Sequence, residues 1–183
     1  MQTTLSLSFP SLAKDAAIVI GFAALTALGA QLEIPLYPVP MTMQTAAVLS
    51  AGVFAGARLG TTSQILYLVA GLFLPVYSGG AMGPAHLFGP TGGYLLSFPV
   101  AAYVVGMLVN REHNVVQAFI RIVLASLVIF AIGAAWLKVA LQLSAEATLA
   151  QGVYPFLIGD VLKCALVAAS FWAWCALKNQ ART

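Results

Sequence analysis

The sequence predicts an all-α fold, an integral membrane bundle of six transmembrane helices with both termini cytoplasmic. Three observations carry this. Of 183 residues, 61% are hydrophobic and 7% charged, against about 25% charged in a soluble domain, and mean hydropathy is +0.96. The apolar residues collect into segments of membrane-spanning length, divided by short clusters of proline, glycine or charge. The cations fall unequally on the two sides that six crossings would define.

The spans are placed at 13–31, 43–58, 60–75, 91–109, 115–142 and 154–177, as a single domain over residues 1–183. Pro10 precedes the first span. Lys14 stands before its apolar run Ala16–Ala30, the layout of a signal peptide. The first cation comes late, however, and Asp15 sits beside it, so this segment reads as a retained helix. Pro35, Pro38 and Pro40 separate the first two spans, and the turn around Arg58 separates the second from the third. Those two spans are short, and interrupted spans point weakly to a binding site. Gly79, Gly80, Gly83 and Pro84 break the third span from the fourth, Asn110–Asn114 the fourth from the fifth, and Gln151, Gly152 and Pro155 mark the start of the sixth.

With six crossings, one side receives Lys14, Arg58, Arg111, Arg121, Lys178 and Arg182, and the other receives Lys138 with Glu33 and Glu146. The cation-rich side is the cytoplasmic one. Five crossings would put the terminal cations on opposite faces. The outer side then holds the Pro-rich segment Glu33–Thr42, the long loop Val76–Gly93 and the start of the sixth span.

Several function classes are excluded. A net charge of +3, dispersed along the chain, does not suit nucleic acid. Cys164 and Cys175 share the last apolar segment and read as buried free thiols. His86 and His113 fall on opposite sides of the membrane and cannot share a metal. There is no Gly-x-Ser-x-Gly elbow, no nucleophile beside a base and no phosphate loop, so neither catalytic nor metal-ligating residues are assigned, and no cofactor is expected. Transport energised by ATP would require another subunit.

The strongest functional signal is Asp160 with Lys163, both inside the apolar stretch from Tyr154 to Leu177. A charge at mid-membrane costs roughly 2.5–3.5 kcal/mol on insertion scales and faces a cavity or a partner. A spacing of three puts both on one helix face. At 1.5 Å per residue they lie about 9 and 14 Å below a helix start at Tyr154, in the outer half of a core roughly 30 Å thick. One reading is an internal ion pair that neutralises itself; the other is a polar recognition site open to the outside.

The loop before the fourth span is rich in glycine. Thr91, Gly92 and Gly93 stand at that helix's N-terminus, where bare N–H groups favour an anionic group. Tyr77, Phe88 and Tyr94 supply apolar walls, with Ser78 beside them. The alternative is a flexible turn with interfacial aromatics. The proline-dense run 34–42 makes a stiff, extended crossing that would serve as a wall or lid, with Thr42 and Gln44 following at the mouth of the second span. Gly52, Gly56 and Gly60 form one small-residue row, read as internal packing. Ala13, Ala17 and Gly21 form another, where a partner membrane protein would fit.

Together, Ile34-Pro-Leu-Tyr-Pro-Val-Pro-Met-Thr-Met-Gln44, Gly89-Pro-Thr-Gly-Gly-Tyr94 and Gly159-Asp-Val-Leu-Lys163 resemble the biotin-specific substrate-binding component of energy-coupling-factor transporters, the BioY type. The similarity spans nearly the whole chain. Where relatives tend towards further glycines, this chain has Pro84, His86 and Ser97. The resemblance implies six helices, a bacterial cytoplasmic membrane, biotin capture near the outer face, and partnership with a transmembrane coupling protein and two cytoplasmic ATPases. The coupling protein would meet small-residue faces such as Ala13, Ala17 and Gly21.

The expected substrate contacts are Asp160, Lys163, Tyr94, Gly92, Gly93, Thr91, Gln44, Thr42, Tyr77 and Ser78. Asp160 would accept from the ureido N–H groups of biotin. Lys163 would donate to the ureido oxygen or balance Asp160. The valerate carboxylate would meet Lys163, the N–H groups near Gly92 and Gly93, or water. Met41 or Met43, with the aromatics, would cover the rings. The rival readings are a stand-alone, homodimeric biotin transporter without ATPases, and a non-transporting scaffold with a structural ion pair.

Overall fold

A computed structural model describes residues 9–109 and 114–180. Of the predicted break Asn110–Asn114, residues 110–113 lie outside the described residues, as do the topology cations Arg111 and Arg182. Helix α1 (Phe9–Gln31) leads through a two-stranded antiparallel ribbon, β1 (Glu33–Ile34) and β2 (Met41–Thr42), to α2 (Gln44–Gly71). A loop carrying a 3₁₀ turn (Ser78–Gly80) and the short α3 (Pro84–Leu87) connects to α4 (Gly92–Val109). Then come α5 (Val115–Ala140), α6 (Ala145–Gly152), a 3₁₀ turn (Tyr154–Phe156) and α7 (Leu157–Gln180).

The prolines set the ribbon. Pro35, Pro38 and Pro40 lack the backbone N–H that would extend a ladder, and pairing is confined to Glu33 with Thr42 and Ile34 with Met41. The extended crossing expected from the sequence is thus a hairpin pinned at its base. Its tip splits by burial: Val39 is buried while Tyr37 is 92% exposed.

The expected second and third spans form one element, broken at Gly56 (φ 77°, ψ 173°) rather than at Arg58. Residues 44–55 and 57–71 are each too short to cross a bilayer at 1.5 Å per residue. Stretches long and apolar enough to cross number four among the described residues: Leu12–Gln31, Gly92–Val109, Val115–Ala140 and Ala145–Lys178. Two other boundaries move. Residues before Tyr154 fold as α6, because Ser144 Oγ accepts from the Ala147 N–H and caps it. Pro155 then holds the 3₁₀ turn, so α7 starts at Leu157 and Asp160 stands in its first turn.

Helix α2 packs on α1 and most extensively on α4; α4 packs on α5, and α5 on α7. The α2–α4 contact depends on missing side chains: a Cβ at Gly52 would strike the Ala102 carbonyl, and one at Gly106 the backbone of Ala57. Gly52 and Gly60 therefore serve internal packing, as expected, while Gly56 serves the break. Ala13, Ala17 and Gly21 are exposed, and nothing lies within 4 Å of a Cβ built on Gly21.

Helix α7 shows why its charges turn inward. Ile158, Leu162 and Leu166 recur every four residues on the exposed face. Asp160, Lys163, Cys164 and Val167 take the opposite, buried face. Both thiols are free; Cys164 is buried and Cys175 only half-buried.

Candidate ligand-binding site

The ribbon, the loop before α4, and helices α4, α5 and α7 enclose a cavity of about 60 Å³. Seven of the ten expected contacts line it: Thr42, Gln44, Ser78, Thr91, Tyr94, Asp160 and Lys163. Residues 121 positions apart are thereby joined, since Lys163 Nζ donates to the Thr42 carbonyl at 2.8 Å.

Asp160 and Lys163 are not each other's hydrogen-bond partners. Asp160 Oδ2 accepts from Ser126 Oγ at 2.7 Å and from Cys164 Sγ at 3.7 Å. Lys163 donates to Thr42 O and, at 2.9 Å, to Thr45 Oγ1. Of the two readings open from the sequence, the self-neutralising pair does not describe this geometry: the two charges are held separately. Among the described residues, Asp160 Oδ1 accepts no protein hydrogen bond and Lys163 retains one N–H, since an ammonium has three. No side-chain polar atom that is fully buried among the described residues lacks a partner. One acceptor and one donor are therefore left to the cavity.

Gln44 supports rather than faces this pair. Thr42 Oγ1 donates to Gln44 Oε1 at 2.8 Å, Gln44 Nε2 donates to Tyr67 Oη at 2.5 Å, and Tyr67 donates to Val76 O at 3.2 Å. This chain runs from the ribbon through the core of α2 to the loop. Tyr94 presents its ring to the cavity, with its hydroxyl donating to Gly152 O at 2.7 Å. The ring is seated by glycine: a Cβ at Gly133 would overlap it, and one at Gly152 would lie 2.6 Å from its oxygen. Gly159 similarly admits Met41, whose Sδ lies 2.9 Å from where a Cβ would stand.

Three expected contacts lie elsewhere. Gly92 and Gly93 pack against Leu87 and Trp136, where a side chain would collide, and the Gly92 N–H donates to Gly89 O at 2.9 Å. Their missing side chains let α4 approach α5, while Trp136 Nε1 donates to Gly89 O at 2.9 Å. Tyr77 is fully buried against Gly71, donating to Leu68 O at 2.8 Å, and burial pushes its phenol pKa up. Of the expected ring covers, Met41 lines the cavity, but Met43 does not, and Phe88 is 61% exposed.

Thr45, His86, Phe98, Phe130 and Phe156 also line the cavity, and the sequence did not place them among the expected contacts. Helical spacing was the available signal: Phe98 stands one turn from Tyr94, and Phe156 four residues before Asp160. His86 had no such signal, because it sits in α3, outside any long helix. Its ring stacks on Tyr77 at 5.2 Å between centroids. Burial lowers its pKa below the usual histidine value, partly opposed by Glu33.

Comparison with known proteins bears on this arrangement. The BioY family model matches residues 1–179. A probable biotin transporter BioY of Pyrococcus horikoshii is 36% identical over 154 residues, covering 84% of this chain and 91% of its own. Biotin transporter BioY2 of Lactococcus lactis subsp. cremoris is 35% identical over 169 residues, covering 91% and 89%. A crystal structure of the S-component for biotin from an ECF-type ABC transporter superposes with TM-score 0.85 at 24% identity, covering 93% of this chain and 95% of that one.

Proposed function

The chain belongs to the BioY family, and from that premise we propose that it is the biotin-capturing component of an energy-coupling-factor transporter. The observation that carries the reading is the pair of unclaimed polar atoms, Asp160 Oδ1 and the third N–H of Lys163. A ureido group needs one partner of each kind: an acceptor for its N–H and a donor for its carbonyl. An ionised acceptor makes roughly twice the bond of a neutral one. Tyr94, Phe98 and Phe156 supply the apolar walls that a thioether ring requires.

The protein is a multi-pass membrane protein. We place it in the bacterial cytoplasmic membrane with six crossings and both termini inside, the two halves of α2 counting as tilted, partial crossings. The exposed row Ala13, Ala17 and Gly21 suits close packing by a helix of a transmembrane coupling protein, with two cytoplasmic ATPases behind it. No residue here is assigned catalysis. Isothermal titration of the detergent-purified chain tests the reading: one-to-one biotin binding is expected, weakened about 10- to 100-fold in Asp160→Asn. Absence of heat from folded protein would return Asp160 and Lys163 to a structural role.

A further inference from the structure

Above the inner cavity lies an outer chamber of about 340 Å³, walled by Glu33, Pro38, Ala85 and Pro90 among others. Pro40, Ser78, His86 and Thr91 line both spaces, so the two are adjacent. The inner space, about 60 Å³, has room for the equivalent of about four to six waters at 10–15 Å³ each. A bicyclic ring held at Asp160 and Lys163 would extend its acid chain past these shared residues towards the outer chamber.

That chamber has an unexpected charge. Glu33 is the one ionised side chain among the described residues lining it, and no lysine or arginine stands there. Pairing of Glu33 with Thr42 fixes its backbone, and its Oε1 lies 3.5 Å from where a Cβ would stand on Gly79. The neighbouring His86 is half-buried and stacked on Tyr77, and burial lowers its pKa against the opposing pull of Glu33, which disfavours a countercharge there. A free carboxylate reaching this chamber meets a like charge. An amide at the same position removes that charge, and an ammonium beyond it finds Glu33.

On the reading that biotin occupies the inner cavity, we infer that the outer chamber is a second subsite for biotin amides whose extension ends in a cation, lysine adducts among them. Discrimination would come from a repulsive contact to one end group and an attractive contact to the other.

The test is titration of the purified full chain with biotin, with biotin amidated by 1,5-diaminopentane, and with biotin amidated by 6-aminohexanoic acid. The cationic amide should bind as tightly as biotin or tighter, and about tenfold tighter than the anionic amide at low salt. In Glu33→Gln that difference should fall to within about twofold, and in Glu33→Lys it should reverse. Biotin binding in which both amides are weakened a hundredfold or more would overturn the subsite and leave the biotin assignment intact. Discrimination that persists in Glu33→Gln would overturn the role of Glu33. Failure of biotin itself to bind would overturn both.

Discussion

Lys163 of α7 donates to the backbone carbonyl of Thr42 at 2.8 Å, not to the carboxylate of Asp160 three residues before it. A side chain from the last helix thus holds the base of the proline hairpin that forms one wall of the cavity. The charges on α7 therefore act separately: one is seated by α5 through Ser126, the other by the ribbon and α2 through Thr42 and Thr45.

Replacing Lys163 with Met keeps most of the volume and removes both bonds. Hydrogen bonds to charged groups contribute roughly 1.5–3 kcal/mol. Lys163→Met should lose ligand binding and should also speed amide exchange at residues 39–43, where Met43 N–H bonds to the end of α1. Binding lost with exchange unchanged would mean the ammonium serves the ligand alone.

Tyr67 links the ribbon to the loop. Tyr67→Phe strands Gln44 Nε2 and the Val76 carbonyl, and an unmet buried group costs about 1–3 kcal/mol. The midpoint of thermal unfolding in detergent should fall, and Gln44→Met in the same background should add less than it does alone. Fully additive losses would show that the two side chains do not work together.

Gly133 makes room for the ring of Tyr94. Gly133→Ala forces the ring towards the cavity or splays α4 from α5, at about 1–3 kcal/mol for overpacking. Ligand affinity should drop, and Tyr94→Leu in the same chain should restore stability but not affinity. An unchanged dissociation constant in Gly133→Ala would show that Tyr94 does not shape the site.

His86 gives a pH dependence with a definite sign. Burial lowers its folded pKa below the ordinary value, about 6.5. The unfolded chain therefore binds the proton more readily. The contribution of His86 to stability is complete above pH 6.5 and is lost as pH falls from there towards the lowered folded value. His86→Phe keeps a ring against Tyr77 and removes the titration. Unfolding temperatures from pH 8 to pH 5 should fall more steeply for the parent chain than for the variant; parallel slopes would exclude the effect.

Composition and local pattern determined a good deal. An apolar chain with so few charges must place its helices in a bilayer, and an apolar stretch containing Asp160 and Lys163 must turn both inward, because three residues place them on one face. Pro35, Pro38 and Pro40 dictate a stiff segment because proline cannot join a ladder, while its closure into a hairpin came from the fold. Tertiary structure decided which neighbours those groups meet. Gly56 looked like one of three packing glycines, yet its positive φ, strained for a residue with a Cβ, makes it the break in α2. Gly92 and Gly93 carry a local signature at the start of α4, but that Trp136, more than 40 positions away, packs where their side chains would stand is visible only in the fold. Ser126, Thr45 and Glu33 acquire roles only when α5, α2 and the ribbon converge on α7 and the loop. Periodicity along one helix reports which face is buried; it holds no information on what a separate helix, dozens of residues distant, presents to that face.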